Sequence, residues 1–298
     1  MKPDRPLTLR LADAFLRKRV GPRLAKAASL KEAARALELN LPCSVPPGGF
    51  RAERIAGVAG EWAGEAGAPI LLYLHGGAYF AGSPKICRPV TAAFAARGFC
   101  VFAPAYRLAP RHPFPAALED AKAVLSALTE RSDRIFLAGD SAGGGLALSL
   151  LVARRDAGES LPLAAALFSP WTDLAVAGAS IKENEGADPL FTRRMLKIAA
   201  RAYLGQEKAD SPLASPLHAD LAGLPPLLLH VGSKELLLGD SVELYARAKT
   251  AGVDAELSVW ENAPHCWQLA AEILPEARDS IDQAADFLRG ALRRSSAG

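Results

Sequence analysis

Five short apolar runs constrain the fold of this chain: Ile70-Leu71-Leu72-Tyr73-Leu74, Phe99-Cys100-Val101-Phe102, Ile135-Phe136-Leu137-Ala138, Leu163 to Phe168 and Leu227 to Val231. None alternates cleanly between polar and apolar residues. A strand with one wet face alternates with a period of two, whereas a run that is apolar at every position needs cover on both faces. Helix-like segments lie between the runs, so the pattern predicts an α/β architecture, a mostly parallel central sheet covered by helices on both faces. Polar residues collect at the strand ends, and in such sheets ligands bind outside the carboxyl ends of the strands.

With 298 residues, 50% of them hydrophobic and 22% charged, the chain can bury a sizeable core. A prior of about 150 residues per domain suggests two domains. No linker separates two cores, however, and one domain with a lid is expected. At the start, Leu7, Leu11 and Phe15 fall at helical spacing, and Ser29-Leu30-Lys31-Glu32 reads as a capping box before Ala34 and Leu37. Pro42 to Gly49 closes that region. Strand signals stop between Ala175 and Pro212, where Asp188-Pro189 precedes a helical stretch with Phe191, Met195, Ile198 and Tyr203. The expected layout is a helical lid segment over 1–48 and a core over 49–298, with a lid insertion at about 175–212.

Composition excludes several functions. Thirty-five Lys and Arg nearly balance 32 Asp and Glu, and no zinc-finger or RNP spacing occurs, so nucleic acid is not an expected partner. Arg17, Lys18, Arg19, Arg23 and Lys26 read as a solvated helix face in preference to a lipid-binding one. Cys43, Cys87, Cys100 and Cys266 have no CxxC spacing, which suits a reducing compartment and argues against a disulfide scaffold or a zinc site. Met1-Lys2-Pro3-Asp4-Arg5-Pro6, followed by Arg10, Asp13 and Arg17, lacks the apolar stretch of a signal peptide. Nothing approaches the roughly 18 apolar residues of a membrane span. A cytoplasmic protein without stable membrane insertion is expected, and nothing in the sequence excludes a homo-oligomer.

The chemistry-bearing residues sit at predicted strand ends. Gly139-Asp140-Ser141-Ala142-Gly143-Gly144 lies between a strand and the helical run Leu146 to Val152. A G-x-S-x-G turn in that setting lets a strained serine project above the sheet, because its glycines sit where a Cβ would collide with neighbouring elements. The helix that starts there aims backbone N–H groups at developing negative charge. His75-Gly76-Gly77-Ala78 ends another strand, where an HGGG-type oxyanion loop belongs, and the N–H groups of Gly76, Gly77 and Ala142 are its expected donors. His75 reads as a loop-fixing ring, since it precedes the serine. Of the histidines that follow Ser141, His265 is best placed as a base, in a loop after the strand-like Leu257 to Trp260. His230 reads as a core histidine inside an apolar strand, and His218 sits in a Pro-rich loop. Asp140 reads as a brace for the serine turn, Asp173 as a capping residue, and Cys266 as a packing residue.

With these motifs the chain resembles the hormone-sensitive lipase family of α/β-hydrolases, in its bacterial carboxylesterase branch. Tyr106-Arg107-Leu108-Ala109-Pro110, His112 to Ala117, Ser169 to Leu174, Ser215-Pro216-Leu217 and Gly223 to Pro226 extend the resemblance from about residue 65 to the C-terminus. One departure is Ala105, where the family usually has Asp. Another is the acid segment, Glu235-Leu236-Leu237-Leu238-Gly239-Asp240 against the family's D-x-L-x-D. Counting back without a gap from His265 puts Glu235 at the family's acid position, and Glu can orient an imidazole as Asp does. Asp240 stays open as the alternative acid, although its place before Val242 to Lys249 also suits an N-cap.

The resemblance implies a carboxylic ester hydrolase acting on short acyl esters, with Ser141, His265 and Glu235 as triad. The expected partner is a small-molecule ester. No cofactor or metal is implied, because neither a ligand cluster nor a Gly-rich phosphate fingerprint occurs. Two other readings remain: a non-catalytic small-ligand receptor on the same scaffold, and an interfacial lipase that uses the basic N-terminal helices.

Overall fold

A computed structural model describes residues 7–295. The Met1 to Pro6 stretch, and with it the start of the expected 1–48 segment, lies outside the described residues. The first helices are α1 (Leu7–Phe15), a π-helical stretch (Leu16–Val20), α2 (Gly21–Ala25) and α3 (Leu30–Leu37). Ser29 caps α3 as its sequence predicts: its Oγ accepts from the Glu32 N–H at 3.2 Å, and the Glu32 carboxylate accepts from the Ala28 N–H at 3.0 Å.

A hairpin follows, β1 (Phe50–Ile55) and β2 (Val58–Ala63), and then strands and helices alternate: β3 (Ile70–Leu74), α4 (Arg88–Ala95), β4 (Cys100–Pro104), α5 (Ala116–Thr129), β5 (Ile135–Asp140) and α6 (Ala142–Asp156). The rest of the chain is β6 (Ala165–Phe168), α7 (Ser180–Glu183), α8 (Arg193–Leu204), β7 (Leu227–Gly232), α9 (Leu238–Thr250), β8 (Ala255–Trp260) and α10 (Pro275–Ser295). Eight strands form one sheet in the order β1-β2-β4-β3-β5-β6-β7-β8. Only the β1–β2 and β2–β4 pairs are antiparallel.

The unalternating runs are buried on both faces, as the sequence predicts. Leu72, Leu74, Phe102, Leu137, Leu167 and Leu229 pack against α5, α6 and α9. Leu71, Tyr73, Val101, Phe136 and Leu228 point the other way, toward Val90 and Phe94 of α4 and Ile281, Ala284 and Leu288 of α10. Each fully buried side chain of this size contributes roughly 1.5–3 kcal/mol relative to exposure. The sheet therefore presents rigid carboxyl ends to whatever the following loops carry. Among the described residues no helix is long and apolar enough to cross a membrane.

Candidate active site

β5 ends at Asp140 and α6 begins at Ala142, leaving Ser141 on the turn with φ 52° and ψ −121°. Such a backbone costs a non-glycine residue on the order of 1–3 kcal/mol and persists only where its surroundings enforce it. Here the Ser141 N–H donates to Phe168 O at 2.8 Å, and Ser141 O accepts from the N–H groups of Trp171 (2.9 Å) and Gly145 (3.1 Å). A Cβ at Gly143 would collide with the carbonyls of Leu74 and His75, and one at Gly139 with the Gly143 carbonyl. Glycine is what lets α6 start this close to β3.

The loop after β8 brings His265 to the same cavity. Its Nδ1 lies 2.6 Å from Glu235 Oε2, and its buried Nε2 has no hydrogen-bond partner among the described residues. Oε1 of Glu235 accepts from the Ser169 hydroxyl at 2.7 Å and from the Gly232 N–H at 2.6 Å. Burial opposes the imidazolium of His265, but the Glu235 charge and hydrogen bond outweigh it, helped by Asp188 and Asp140, so the pKa is raised above the usual histidine value. The ring of Phe191 meets the imidazole edge-on, with centroids 5.1 Å apart.

Asp240 is directed elsewhere. Because α9 begins at Leu238, Asp240 lies within its first turn, and the expected N-cap role at this helix is corrected. Its Oδ2 accepts instead from the N–H groups of Thr172 (2.7 Å) and Asp173 (2.8 Å), and from the Thr172 hydroxyl at 3.3 Å. Burial pushes its pKa up to about 7; the Thr172 and Asp173 amides oppose that shift, and the neighbouring Asp173 charge adds to it.

The oxyanion loop differs from expectation at Gly76, whose N–H donates to Asp140 Oδ1 at 3.0 Å and is therefore already engaged. The same Asp140 oxygen accepts from the Tyr73 hydroxyl at 2.7 Å, so Asp140 braces the serine turn from below. Backbone φ is positive at Gly77 (119°), Ala78 (52°) and Tyr79 (64°), and the amides of Gly77 and Ala78 donate to no other group among the described residues. The Ala142 N–H opens α6 and has no intrahelical partner. Ala78 was not among the residues expected from the sequence, because an alanine with positive φ leaves no local signal.

His75 fixes this loop. Its Nδ1–H donates to Gly76 O at 2.8 Å, its ring stacks on Tyr106 at 4.2 Å, and the Tyr106 hydroxyl donates to His75 O at 2.5 Å. Burial pushes the His75 pKa down to about 4, leaving a neutral ring. His230 lies within β7 against Ser280 at 2.7 Å, and burial likewise lowers its pKa to about 4. His218 pairs with Asp173 at 3.2 Å, and Asp173 accepts from the N–H groups of Ala175 and Ala177. Neither His218 nor His230 lines the cavity.

That cavity, of about 440 Å³, holds Ser141, His265 and the Gly76-Gly77 loop at its floor. Its walls are apolar: Leu11, Phe15, Leu16 and Val20 from the first helices, Leu37, Leu39 and Leu41 after them, and Leu190 and Phe191 from the segment before α8. An arrangement of this kind can place a carbonyl carbon at the serine and its oxygen among amide donors, with apolar groups on either side. Among the described residues no cluster of His, Cys, Asp and Glu is arranged to hold a metal. All four cysteines are free.

Residues 71–269 match the family model described as the alpha/beta hydrolase fold. An acetyl-hydrolase of Streptomyces hygroscopicus is 46% identical over 225 residues, covering 74% of this chain and 75% of that protein. The solved structure of an esterase from the bacterial hormone-sensitive lipase family superposes with a TM-score of 0.86 at 38% identity, covering 96% of this chain and 99% of that one. The structure of EstE5 soaked with p-nitrophenyl butyrate gives a TM-score of 0.86 at 34% identity, with 96% and 99% of the two chains covered.

Proposed function

The chain belongs to the hormone-sensitive lipase-like carboxylesterases of the α/β-hydrolase fold and is a carboxylic ester hydrolase, and from that premise we propose that it hydrolyses short-chain acyl esters through Ser141, His265 and Glu235. Ser141 Oγ attacks the ester carbonyl while His265 Nε2 takes its proton. Glu235 holds Nδ1–H and stabilises the imidazolium. The oxyanion is received by the amides of Gly77, Ala78 and Ala142. His265 then protonates the leaving alkoxide, and in the second half it activates the water that releases the acid.

The observation that carries this reading is the Glu235–His265 contact at 2.6 Å, which leaves His265 Nε2 unpartnered in the cavity that Ser141 lines. Short acyl groups are supported by the apolar walls, by a relative described as an acetyl-hydrolase and by the similar EstE5 structure soaked with p-nitrophenyl butyrate. On this reading the first helices and the segment before α8 act together as a lid. Labelling with a fluorophosphonate, read as intact mass, tests the nucleophile: one adduct is expected on the protein and none on Ser141→Ala. An unlabelled native chain would favour the receptor reading.

The interfacial reading draws on a different observation. Leu7, Leu11, Phe15 and Ile273 are large apolar side chains left exposed, and three of them line the cavity. A jump in activity once substrate exceeds its solubility would favour an interfacial lipase over an esterase for dissolved substrates.

A further inference from the structure

The segment from α7 to the cavity wall places Ser180, Asn184 and Asp188 at intervals of four residues, and all three side chains reach the loop that carries Glu235. Ser180 Oγ donates to Leu236 O at 2.6 Å and accepts from the Gly239 N–H at 2.8 Å. Asn184 Nδ2 donates to Glu235 O at 2.8 Å and to Ser233 O at 3.3 Å. Asp188 Oδ2 accepts from the Leu236 N–H at 3.0 Å, while its Oδ1 accepts from the N–H groups of Leu190 (2.8 Å) and Phe191 (3.0 Å). The main chain on both sides of Glu235 is thus held by side chains from a segment some fifty residues away in sequence.

The loop has few bonds of its own. Its local ties are the bonds from Glu235 N–H to Gly232 O at 3.2 Å, from Leu238 N–H to Glu235 O at 3.2 Å, and from the Gly232 N–H to Glu235 Oε1 at 2.6 Å. Yet its carboxylate must stay within hydrogen-bond reach of His265, and a displacement of about 1 Å at such a contact can cost on the order of 10²-fold in rate. The clamping segment also forms part of the site: Phe191 lies edge-on to His265, and the Arg17 guanidinium of the first helical segment donates to Gly186 O at 3.0 Å and Ala187 O at 2.7 Å. One stretch of chain therefore joins the cavity wall to the acid loop.

We infer that Asn184 and Asp188 are positioning residues for ester hydrolysis, holding the Glu235 main chain so that its carboxylate stays against His265. The inference rests on the roles proposed above for Ser141, His265 and Glu235. Neither residue touches substrate; Asn184 acts through the acid, and Asp188 does so while also adding its charge to the field at His265.

The test is a double-mutant cycle, read as kcat and KM on p-nitrophenyl butyrate together with thermal melts. Asn184→Ala removes both donors to the loop. Asp188→Asn can keep an acceptor for Leu190 and Phe191 while turning an amide donor toward the Leu236 N–H, which cuts the tie to the acid loop with little change of shape. Each is expected to lower kcat by about 10-fold or more with KM within about twofold. In the Glu235→Gln background the same changes should cost less than about twofold, because residues that act through one group are not additive. Equal losses in both backgrounds would mark a general structural brace and overturn the inference, as would unchanged kcat in folded single variants. If Asn184→Ala fails to fold, Asp188→Asn carries the same cycle. Full activity of Glu235→Gln by itself would instead remove the acid reading, and the clamp with it.

Discussion

Glu235 and Ser169 are joined through Oε1, the carboxylate oxygen that His265 does not use, at 2.7 Å from the serine hydroxyl. With the Gly232 N–H at 2.6 Å on the same oxygen, the carboxylate is divided into an anchored half and a working half. This division decides what an amide at the position would do.

In Glu235→Gln the amide oxygen is drawn to the two donors at the Oε1 site, which turns the NH2 group toward His265 Nδ1. Two donors cannot face each other, so the imidazole takes the tautomer with its proton on Nε2 and can no longer accept one from Ser141. A kcat lower by ~10⁴-fold, with the melting temperature little changed, is the expected outcome. A folded variant with near-native kcat would exclude Glu235 as the orienting acid.

The raised pKa of His265 sets a direction for the pH profile. Burial works against the charged ring, but the Glu235 charge and hydrogen bond, with Asp188 and Asp140 behind them, more than compensate. In the proposed role His265 acts as base only when neutral, so kcat/KM of the free enzyme should fall on the acid side with a midpoint above the ordinary histidine value of 6.5. In Asp188→Asn one carboxylate facing the ring is gone, and the midpoint should move down. A midpoint well below 6.5 in the native protein would contradict this electrostatic account.

Asp240 gives a prediction of the opposite kind, on stability. Its folded pKa of about 7 stands above the ordinary 3.8, so between those values the folded protein keeps a proton that the unfolded chain releases. Folding stability from this group is therefore highest below the unfolded value, declines as pH rises through the window, and stays reduced above the folded value. Asn at this position can still accept from the Thr172 and Asp173 amides and has nothing to ionise. Asp240→Asn should keep its esterase activity, and its melting temperature relative to the native protein should improve between about pH 5 and pH 8. Melts at the two pH values check this, and a relative loss that grows with pH would refute it.

These outcomes depend on features that were unequally legible in the sequence. β3, β5 and β7 declare themselves because burial on both faces excludes polar residues along the run. The β1–β2 hairpin left no such trace. Arg51, Ala52 and Arg54 are exposed along β1, so no clean alternation marks it, and its turn is Ala56-Gly57 with both φ angles positive, in place of the usual Asn-Gly signal. The serine turn is visible because its glycines are sterically required. The gap-free count from His265 favours Glu235 over Asp240, but no spacing shows that α9 starts at Leu238 and turns Asp240 toward Thr172. The bonds of Gly76 and Asn184 leave no sequence signal for a related reason: their partners, Asp140 and the Glu235 carbonyl, are 64 and 51 residues away in sequence.

The cavity wall supplies the last prediction. Leu16 is buried where the first helical segment faces Leu190 and Phe191 across the cavity. The two segments meet closely, since a Cβ on Gly21 would collide with the Pro189 carbonyl. The wall should therefore limit acyl length more by shape than by chemistry, and native activity on p-nitrophenyl esters should peak at short chains, with butyrate well ahead of laurate. Leu16→Ala removes three carbons from that wall without touching Ser141 or His265. A pocket worth roughly 1–3 kcal/mol per methylene of fit should then lose ~10-fold or more in kcat/KM on butyrate. Octanoate has atoms to fill the space and should lose less or gain, moving the optimum to longer chains. An optimum already at laurate in the native protein, or an unchanged ratio of butyrate to octanoate in Leu16→Ala, would mean that this wall does not set the length.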